Sequence, residues 1–426
     1  MRNCWARIPG GGSVDKIVEV LADWPPFSEP RPLGRLRIVR VRGKETYSFS
    51  VDREWLHSGK DVLLLDPELQ WVDGEQFSKD GFGMFLDSAP DRWGRRLITR
   101  REARRAREEG RSPRQLMTSD FLLAVSDRTR LGGLRFRDME TGEFLGPDTE
   151  DPIPPLRALR ALEAAARHFE RETGDDREME EGLRLLLAPG SSLGGARPKA
   201  NTMDPEGALW IAKFPSPRDE VDVGAWEGLV HELARRVGLR VSKARVERLS
   251  EAGHTFLARR FDRAGGGRRH FASAMTLLGY RDGDDAESGV SYLELAELIC
   301  SIGGDVERDL IELWTRIAFS VAVGNGDDHL RNHGFLLGKK GWHLSPLYDV
   351  NPQPWVQGLS LNITEFDNAL DFELLREVAE DFRVSVKEAG RVLEQLRREV
   401  GIWRELAKER GLSHQEIERM ETAFLL

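Results

Sequence analysis

Two stretches near the start of the chain, Leu36–Val41 and Thr46–Val51, alternate apolar and polar residues on either side of Arg42-Gly-Lys-Glu45. Successive side chains of a strand point to opposite faces, so this period of two predicts two strands joined by a hairpin turn. The short apolar run Val62–Leu65 predicts another strand. From about residue 84 to 140 the spacing turns helical and ends in Gly132-Gly-Leu-Arg-Phe136. Gly146–Pro155 is rich in Pro, Asp and Gly and reads as a linker. Leu156–Arg171 then sets leucines and alanines at helical spacing, broken at Gly174-Asp-Asp-Arg177.

The second half changes character twice. Ala208–Phe214 reads as a strand stopped by Pro215, Val223–Val237 as an amphipathic helix, and Thr255–Arg263 as a further strand. Past Gly289 the chain reads as helical. Ser291 and Glu294 form a capping box, and Asp305 opens a helix with Leu310, Leu313, Trp314, Ile317 and Val321 on one face. Residues 369–426 read as helical, with Leu393, Leu396 and Trp403 on core faces. These elements predict an α+β protein in three segments: 1–150, β-rich then helical; 151–278, strand-rich; and 279–426, mainly helical.

Composition narrows the setting. The 426 residues are 40% hydrophobic and 32% charged, ordinary for a globular protein. A net charge of −9 argues against bulk attraction to nucleic acid. Ten arginines fall between Arg92 and Arg114, but Glu102, Glu108 and Glu109 are interleaved, which favours a solvated helix over a nucleic-acid face. The only cysteines are Cys4 and Cys300, so neither a disulfide framework nor a cysteine zinc site is expected. The first residues lack an apolar core of signal-peptide length, and no run approaches the roughly 18 apolar residues of a membrane span. A cytoplasmic protein with no membrane partner is expected.

The candidate chemistry lies in Asn325-Gly-Asp-Asp-His-Leu-Arg-Asn332 and in Leu347-Tyr-Asp-Val350. Asp327 precedes Asn332 by five residues, and Asp349 follows a stretch that reads as a hairpin. A base Asp, an Asn five residues on and a metal Asp after a hairpin is the order of parts in protein kinases. Asp327 and Asp328 alone could be solvated loop acids, and Asp349 alone could cap the turn at Asn351-Pro352. The crowding of Asn325, Asp327, His329, Arg331 and Asn332 weakens those alternatives. His329 and His333 stand four apart, the spacing of a helical zinc site, but Leu330 occupies the position of the required Glu. Magnesium, which prefers oxygen, suits Asp327, Asn332 and Asp349 better, and His329 is expected to hold the loop by side-chain hydrogen bonds. Lys213 either faces inward, where phosphates and Glu227 would pair it, or outward on an alternating strand. Ser192-Leu-Gly-Gly-Ala-Arg-Pro-Lys199 is a Gly-rich loop but not a Walker A loop.

Six motifs in order resemble the HipA-type serine/threonine kinases, the toxin halves of bacterial toxin–antitoxin pairs. They are Ser88–Arg95, Ser192–Lys199, Lys213-Phe-Pro215, Arg260-Phe-Asp-Arg263, Asn325–Asn332 and Tyr348-Asp349. The resemblance implies a two-lobed, kinase-like fold with a small β-rich N-terminal subdomain and a helical C-terminal lobe. It implies ATP and Mg2+ as cofactors, Asp327 as catalytic base, and Asn332 and Asp349 as metal ligands. Lys213, Glu227, Ser192, Gly194, Gly195, Ala196, Lys199, Phe271, Ser273 and His329 would line the ATP site. Ser192, with Ser191 as the alternative, would be an autophosphorylation site whose phosphate repels those of ATP. A HipB-type helix-turn-helix antitoxin would be the partner, with DNA contacted only through it, and an aminoacyl-tRNA synthetase is among the substrates the resemblance suggests. The rival reading is a catalytically weak kinase-fold module acting with such an antitoxin in transcriptional autoregulation. Arg197 and Asp328 depart from the family pattern, and Phe271-Ala-Ser-Ala274 lacks the acidic residues expected of an adenine-contacting segment.

Overall fold

A computed structural model describes residues 6–7, 14–57, 63–147, 152–171, 176–187 and 195–425. The chain divides into two compact units. One is Met1–Trp210 with Asp262–Ala272, the other Ile211–Phe261 with Ser273–Leu426.

The first unit is built on a six-stranded sheet. Strand β1 (Val14–Ala22) pairs antiparallel with β2 (Arg31–Val41), which pairs with β3 (Lys44–Val51), which pairs with β4 (Glu75–Ser78). The β2–β3 register brings Val41 opposite Lys44, so Arg42 and Gly43 alone make the turn, at φ 49° and 77°. A two-residue turn of this kind needs positive φ at both positions, and Gly43 supplies the second at no steric cost. Leu36, Ile38 and Phe49 point to one face and are fully buried.

The apolar run ending at Leu65 forms no strand over Leu63–Leu65, and Val62 lies outside the described residues. Leu65 is buried, and the following carboxylate of Asp66 accepts the backbone N–H groups of Glu68 and Met84. The hydrophobicity there serves a packed loop. The expected helical stretch 84–140 resolves into several pieces. Helix α1 spans Arg92–Glu108, and β5 (Leu134–Asp138) alternates buried and half-buried residues against β1. Along and just past α1 the glutamates pair with four of the arginines: Glu102 takes Arg111 and Arg114, Glu108 takes Arg104, and Glu109 takes Arg105. Burial raises the Glu102 carboxyl, but those two arginines outweigh it and pull it down to about 2.

Helices α2 (Leu159–Arg171) and α3 (Asp176–Leu187) follow. The described part of the predicted linker is not loose. Ile153 is buried, and Pro154 O accepts from Met203 N and from Thr202 Oγ1 of strand β6 (Lys199–Met203). The returning segment 262–272 is held as firmly. Asp262 accepts from Gly132 N at 2.9 Å, and Arg268 reaches Asp127 O at 2.6 Å. Asp262 and Arg263 of the Arg-Phe-Asp-Arg motif therefore anchor a loop; the strand expected over Thr255–Arg263 ends at Arg259.

The second unit carries β7 (Leu209–Lys213, entering the unit at Ile211), helix α4 (Val223–Val237), β8 (Ala244–Ser250) and β9 (Gly253–Arg259). The strand order is β7-β9-β8. Helix α4 starts at an Asp222 cap and ends at Gly238 with φ 93°. Two glycines let it lie close on the sheet: a Cβ on Gly224 would stand 2.0 Å from His254 O, and one on Gly228 2.2 Å from Val246 Cγ2. Helices α5 (Tyr292–Ile302) and α6 (Val306–Ala322) form the centre of the helical part. The capping box at Ser291 and Glu294 is present, whereas Asp305 flanks α6 without a side-chain cap bond. The hairpin β10 (Gly334–Gly338) and β11 (Gly341–Leu344) stands between the two acidic loops, as expected. Helices α7 (Val386–Val400), α8 (Trp403–Glu409) and α9 (His414–Met420) complete the unit. Among the described residues no helix is long and apolar enough to cross a membrane.

Candidate active site

Lys213 closes β7 and faces inward. Its Nζ lies 2.5 Å from Glu227 Oε1 and 2.6 Å from Asp349 Oδ1. Glu227 sits one turn into α4, buried by the close seat that Gly224 and Gly228 allow. Burial alone would pull the Lys213 ammonium down, but the charges of Asp349 and Glu227 outweigh it and hold its pKa above the lysine range. Two carboxylates more than a hundred positions apart in the chain thus share one ammonium.

Asp349 is not at a strand end. Strand β11 stops at Leu344, and Asp349 takes φ 57°, a left-handed conformation that Asp tolerates better than most residues. Its neighbours fix that bend. Leu347 N donates to Arg240 O, and the Tyr348 hydroxyl donates to Arg331 O at 2.5 Å. Asn351 Nδ2 lies 3.4 Å from Asp349 Oδ1, while Asn351 N donates to Asn325 Oδ1 at 3.2 Å. Asn325 therefore ties the Asp349 turn to the loop that follows α6.

That loop sorts its polar side chains in opposite directions. Asp327 is exposed. Asn332 donates Nδ2 to Asp327 O at 2.8 Å, and its own N–H goes to His329 O at 2.8 Å. Asp328 points into the core: it accepts from the Tyr292 hydroxyl at 2.8 Å and from Ser320 Oγ at 3.2 Å, and lies 3.2 Å from His333 Nε2. Burial pushes this carboxyl up, but His333, Tyr292 and Ser320 together hold it below the usual aspartate range. Asp328 in turn helps burial drive the Tyr292 phenol well above its ordinary value.

The two histidines take different places. His333 is buried against Asp328 and the edge of Tyr292, a structural position. His329 contributes its backbone carbonyl to the loop, and its Nδ1 is buried without a hydrogen-bond partner, so the expected holding bond from that atom is not made. Among the described residues no three His, Cys, Asp or Glu side chains gather where a metal could sit. An oxygen set of one carboxylate, Asp349, and one amide, Asn332, fits magnesium, which takes few protein ligands and completes its shell with water and phosphate oxygens.

The other ATP-site residues are placed less uniformly. Ser191, Ser192 and Gly194 lie outside the described residues. Gly195, Ala196 and Lys199 belong to the first unit. Lys199 is not held out in an open loop. It is buried, with Nζ 2.8 Å from Asp91 Oδ2, and its backbone carbonyl accepts from Trp93 Nε1. Asp91 also caps α1 through Gly94 N at 2.7 Å, so the Ser88–Arg95 motif and the loop lysine form one joint. Phe271 is buried in the first unit. Ser273 is a buried helix cap whose hydroxyl accepts Thr276 N at 3.2 Å. The Asn325–Asn351 tie and the inward role of Asp328 were missed from sequence; the Asn-Pro after Asp349 was the available signal for the first.

A lysine clasped by a helix glutamate and by Asp349, beside an Asp/Asn loop ahead of a hairpin, defines a kinase-fold protein. The chain belongs to the family of the HipA-like C-terminal domain, whose description matches residues 191–403. Over 194 residues it is 30% identical to the kinase-named protein Y4mE of Sinorhizobium fredii (strain NBRC 101917 / NGR234), covering 40% of this chain and 43% of that relative's length. Among solved structures it is similar to HipA of Shewanella oneidensis MR-1, seen in complex with HipB and its operator DNA. The TM-score is 0.62 at 17% identity, over 95% of this chain and 94% of that one.

Proposed function

We propose that the protein is an ATP- and magnesium-dependent serine/threonine protein kinase of the HipA type. The single observation that supports this best is the Lys213 clasp, which gathers a strand lysine, the helix glutamate that would pair it in a protein kinase, and the aspartate proposed for the metal. In this reading Asp327, exposed at the loop, accepts the proton of a substrate hydroxyl and aligns it with the γ-phosphate. Asn332 and Asp349 hold magnesium, which neutralises charge on the phosphates. Lys213, protonated and still paired with Glu227, reaches the phosphate oxygens, while Asp349 is released to the magnesium. Ser192, or Ser191, is an autophosphorylation site. A HipB-type DNA-binding antitoxin is the proposed partner, by analogy with the complex of the Shewanella protein, and the substrate is a protein of the translation apparatus such as an aminoacyl-tRNA synthetase.

The test is transfer of label from γ-labelled ATP with magnesium to the protein itself and to proteins of a lysate. Asp327→Asn is expected to lower the rate by about 100- to 10,000-fold. Wild-type protein that binds ATP but transfers no label would overturn the catalytic reading in favour of the binding module. Self-labelling that survives replacement of both Ser191 and Ser192 by Ala would remove the autophosphorylation site alone.

A further inference from the structure

Thr422–Leu425 touches three of the segments around the candidate chemistry of the second unit. Leu425 N donates at 3.0 Å to Ala322 O, at the end of the helix that delivers the Asp327 loop. Ala423 lies against Gly324 so closely that a Cβ on Gly324 would stand 2.6 Å from Ala423 O. Gly324 also takes φ 60°, so its place in the loop needs glycine twice over. Thr422 Oγ1 accepts Trp355 N at 3.2 Å. Trp355 holds φ 61° while its side chain stays 65% exposed, so burial of the indole does not explain the bend. Beyond it, Val356 packs on Gly326: a Cβ there would stand 2.2 Å from Val356 Cγ2. Gln353 N donates to Gly324 O at 2.9 Å. The segment after Asp349 is thereby fastened to the segment before Asp327, with Thr422 as one fastening.

Phe424 supplies the third connection. Its ring stacks on Trp403 at 4.2 Å and 7°, and lies 6.1 Å from Trp226. Trp226 immediately precedes Glu227 on α4. Four consecutive residues therefore bear on α4, on the loop of Asp327, and on the turn after Asp349.

We infer that Thr422–Leu425 is a positioning segment, a clamp that sets the spacing among Glu227, the Asp327 loop and the Asp349 turn. None of its side chains touches the reacting atoms. Its effect is transmitted through Trp226, Gly324 and Trp355. The activity half of the inference rests on the kinase reading; the positioning half does not.

Hydrogen exchange and phosphoryl transfer on the full chain test it together, with Phe424→Ala, Thr422→Val and the conservative Phe424→Trp. In Phe424→Ala, amide exchange is expected to rise at least tenfold in residues 322–332 and 349–356 as well as in 403–425, and to stay unchanged in the first-unit sheet. The rate kcat should fall by about 100-fold, the scale of a small misplacement of catalytic groups, with a smaller change in KM for ATP. Phe424→Trp should restore both readouts, and Thr422→Val should loosen 349–356 alone. Exchange that rises only in 403–425, or evenly through the whole protein, would overturn the clamp. So would kcat unchanged alongside loosened catalytic segments. A wild-type protein with no transferase activity would sink the kinase reading and leave exchange to decide the positioning.

Discussion

Asp328 sits next to the proposed base yet takes no part in the same surface. Tyr292, Ser320 and His333 surround it, and its charge is what they share. Removing one partner of a buried charged cluster costs several kcal/mol, because the rest are left with unmatched polarity. Asp328→Ala is therefore expected to lower stability by about 3 kcal/mol, read as a fall in the denaturation midpoint. The pH dependence follows from the direction of its shift. A folded-state carboxyl held below its unfolded value stabilises fully above the unfolded value, near pH 4, and loses that stability as pH falls through the folded one. Wild type should thus lose stability more steeply than Asp328→Asn below about pH 4 in acid titrations followed by circular dichroism. Sequence showed that two aspartates were adjacent and that the first stood five residues before Asn332. It could not show that they diverge, since that depends on a turn whose inner side is filled by Tyr292 from another helix. The same limit applies to Lys213. Its inward and outward settings were equally open until the strand was seen ending between Glu227 and Asp349.

At the scale of elements, helix α4 matters more than its length suggests. Its bounds, Val223–Val237, were legible because an amphipathic repeat lies between the Asp222 cap and Gly238. Its distance from the sheet was not legible, since that is set by glycines that meet β9 and β8 across long sequence separations. Gly224→Ala would bring a Cβ against His254 O, a backbone atom without room to retreat. The first turn of α4 should then lift, carrying Glu227 away from Lys213. The expected result is a loss of about 1–3 kcal/mol and a rise in KM for ATP, measured by thermal unfolding and initial rates. A KM that stays level while stability falls would separate the helix seat from the lysine clasp. The β2–β3 hairpin was legible because alternation and an Arg-Gly turn agree on one register. The apolar run up to Leu65 misled because burial of a loop and pairing of a strand both call for the same residues.

Whole-molecule organisation was the least legible level. A linear reading places boundaries where composition changes, yet the chain returns to the first unit for Asp262–Ala272. No single cut separates the units. A fragment beginning at Ile211 would carry Asp262, Arg263 and Arg268 without Gly132, Arg130 and Asp127, which engage them in the intact chain. Those charged groups would be left unmatched, so this fragment is expected to be less soluble and to unfold at lower temperature than one in which 262–272 is replaced by a short Gly/Ser turn. Expression yield and calorimetry of the two fragments check this; equal behaviour would show that the anchoring is dispensable.

The clasp around Lys213 also has a bearing on chemical labelling. Acylating and sulfonylating reagents attack the neutral amine, and two carboxylates keep this ammonium protonated well beyond the ordinary lysine range. Lys213 should be among the slowest lysines to react at pH 8. Glu227→Gln removes one of the charges that oppose burial, so labelling at that site, followed by peptide mass spectrometry, should speed up. An amine-directed probe would then report on the carboxylates of this site rather than on the lysine itself.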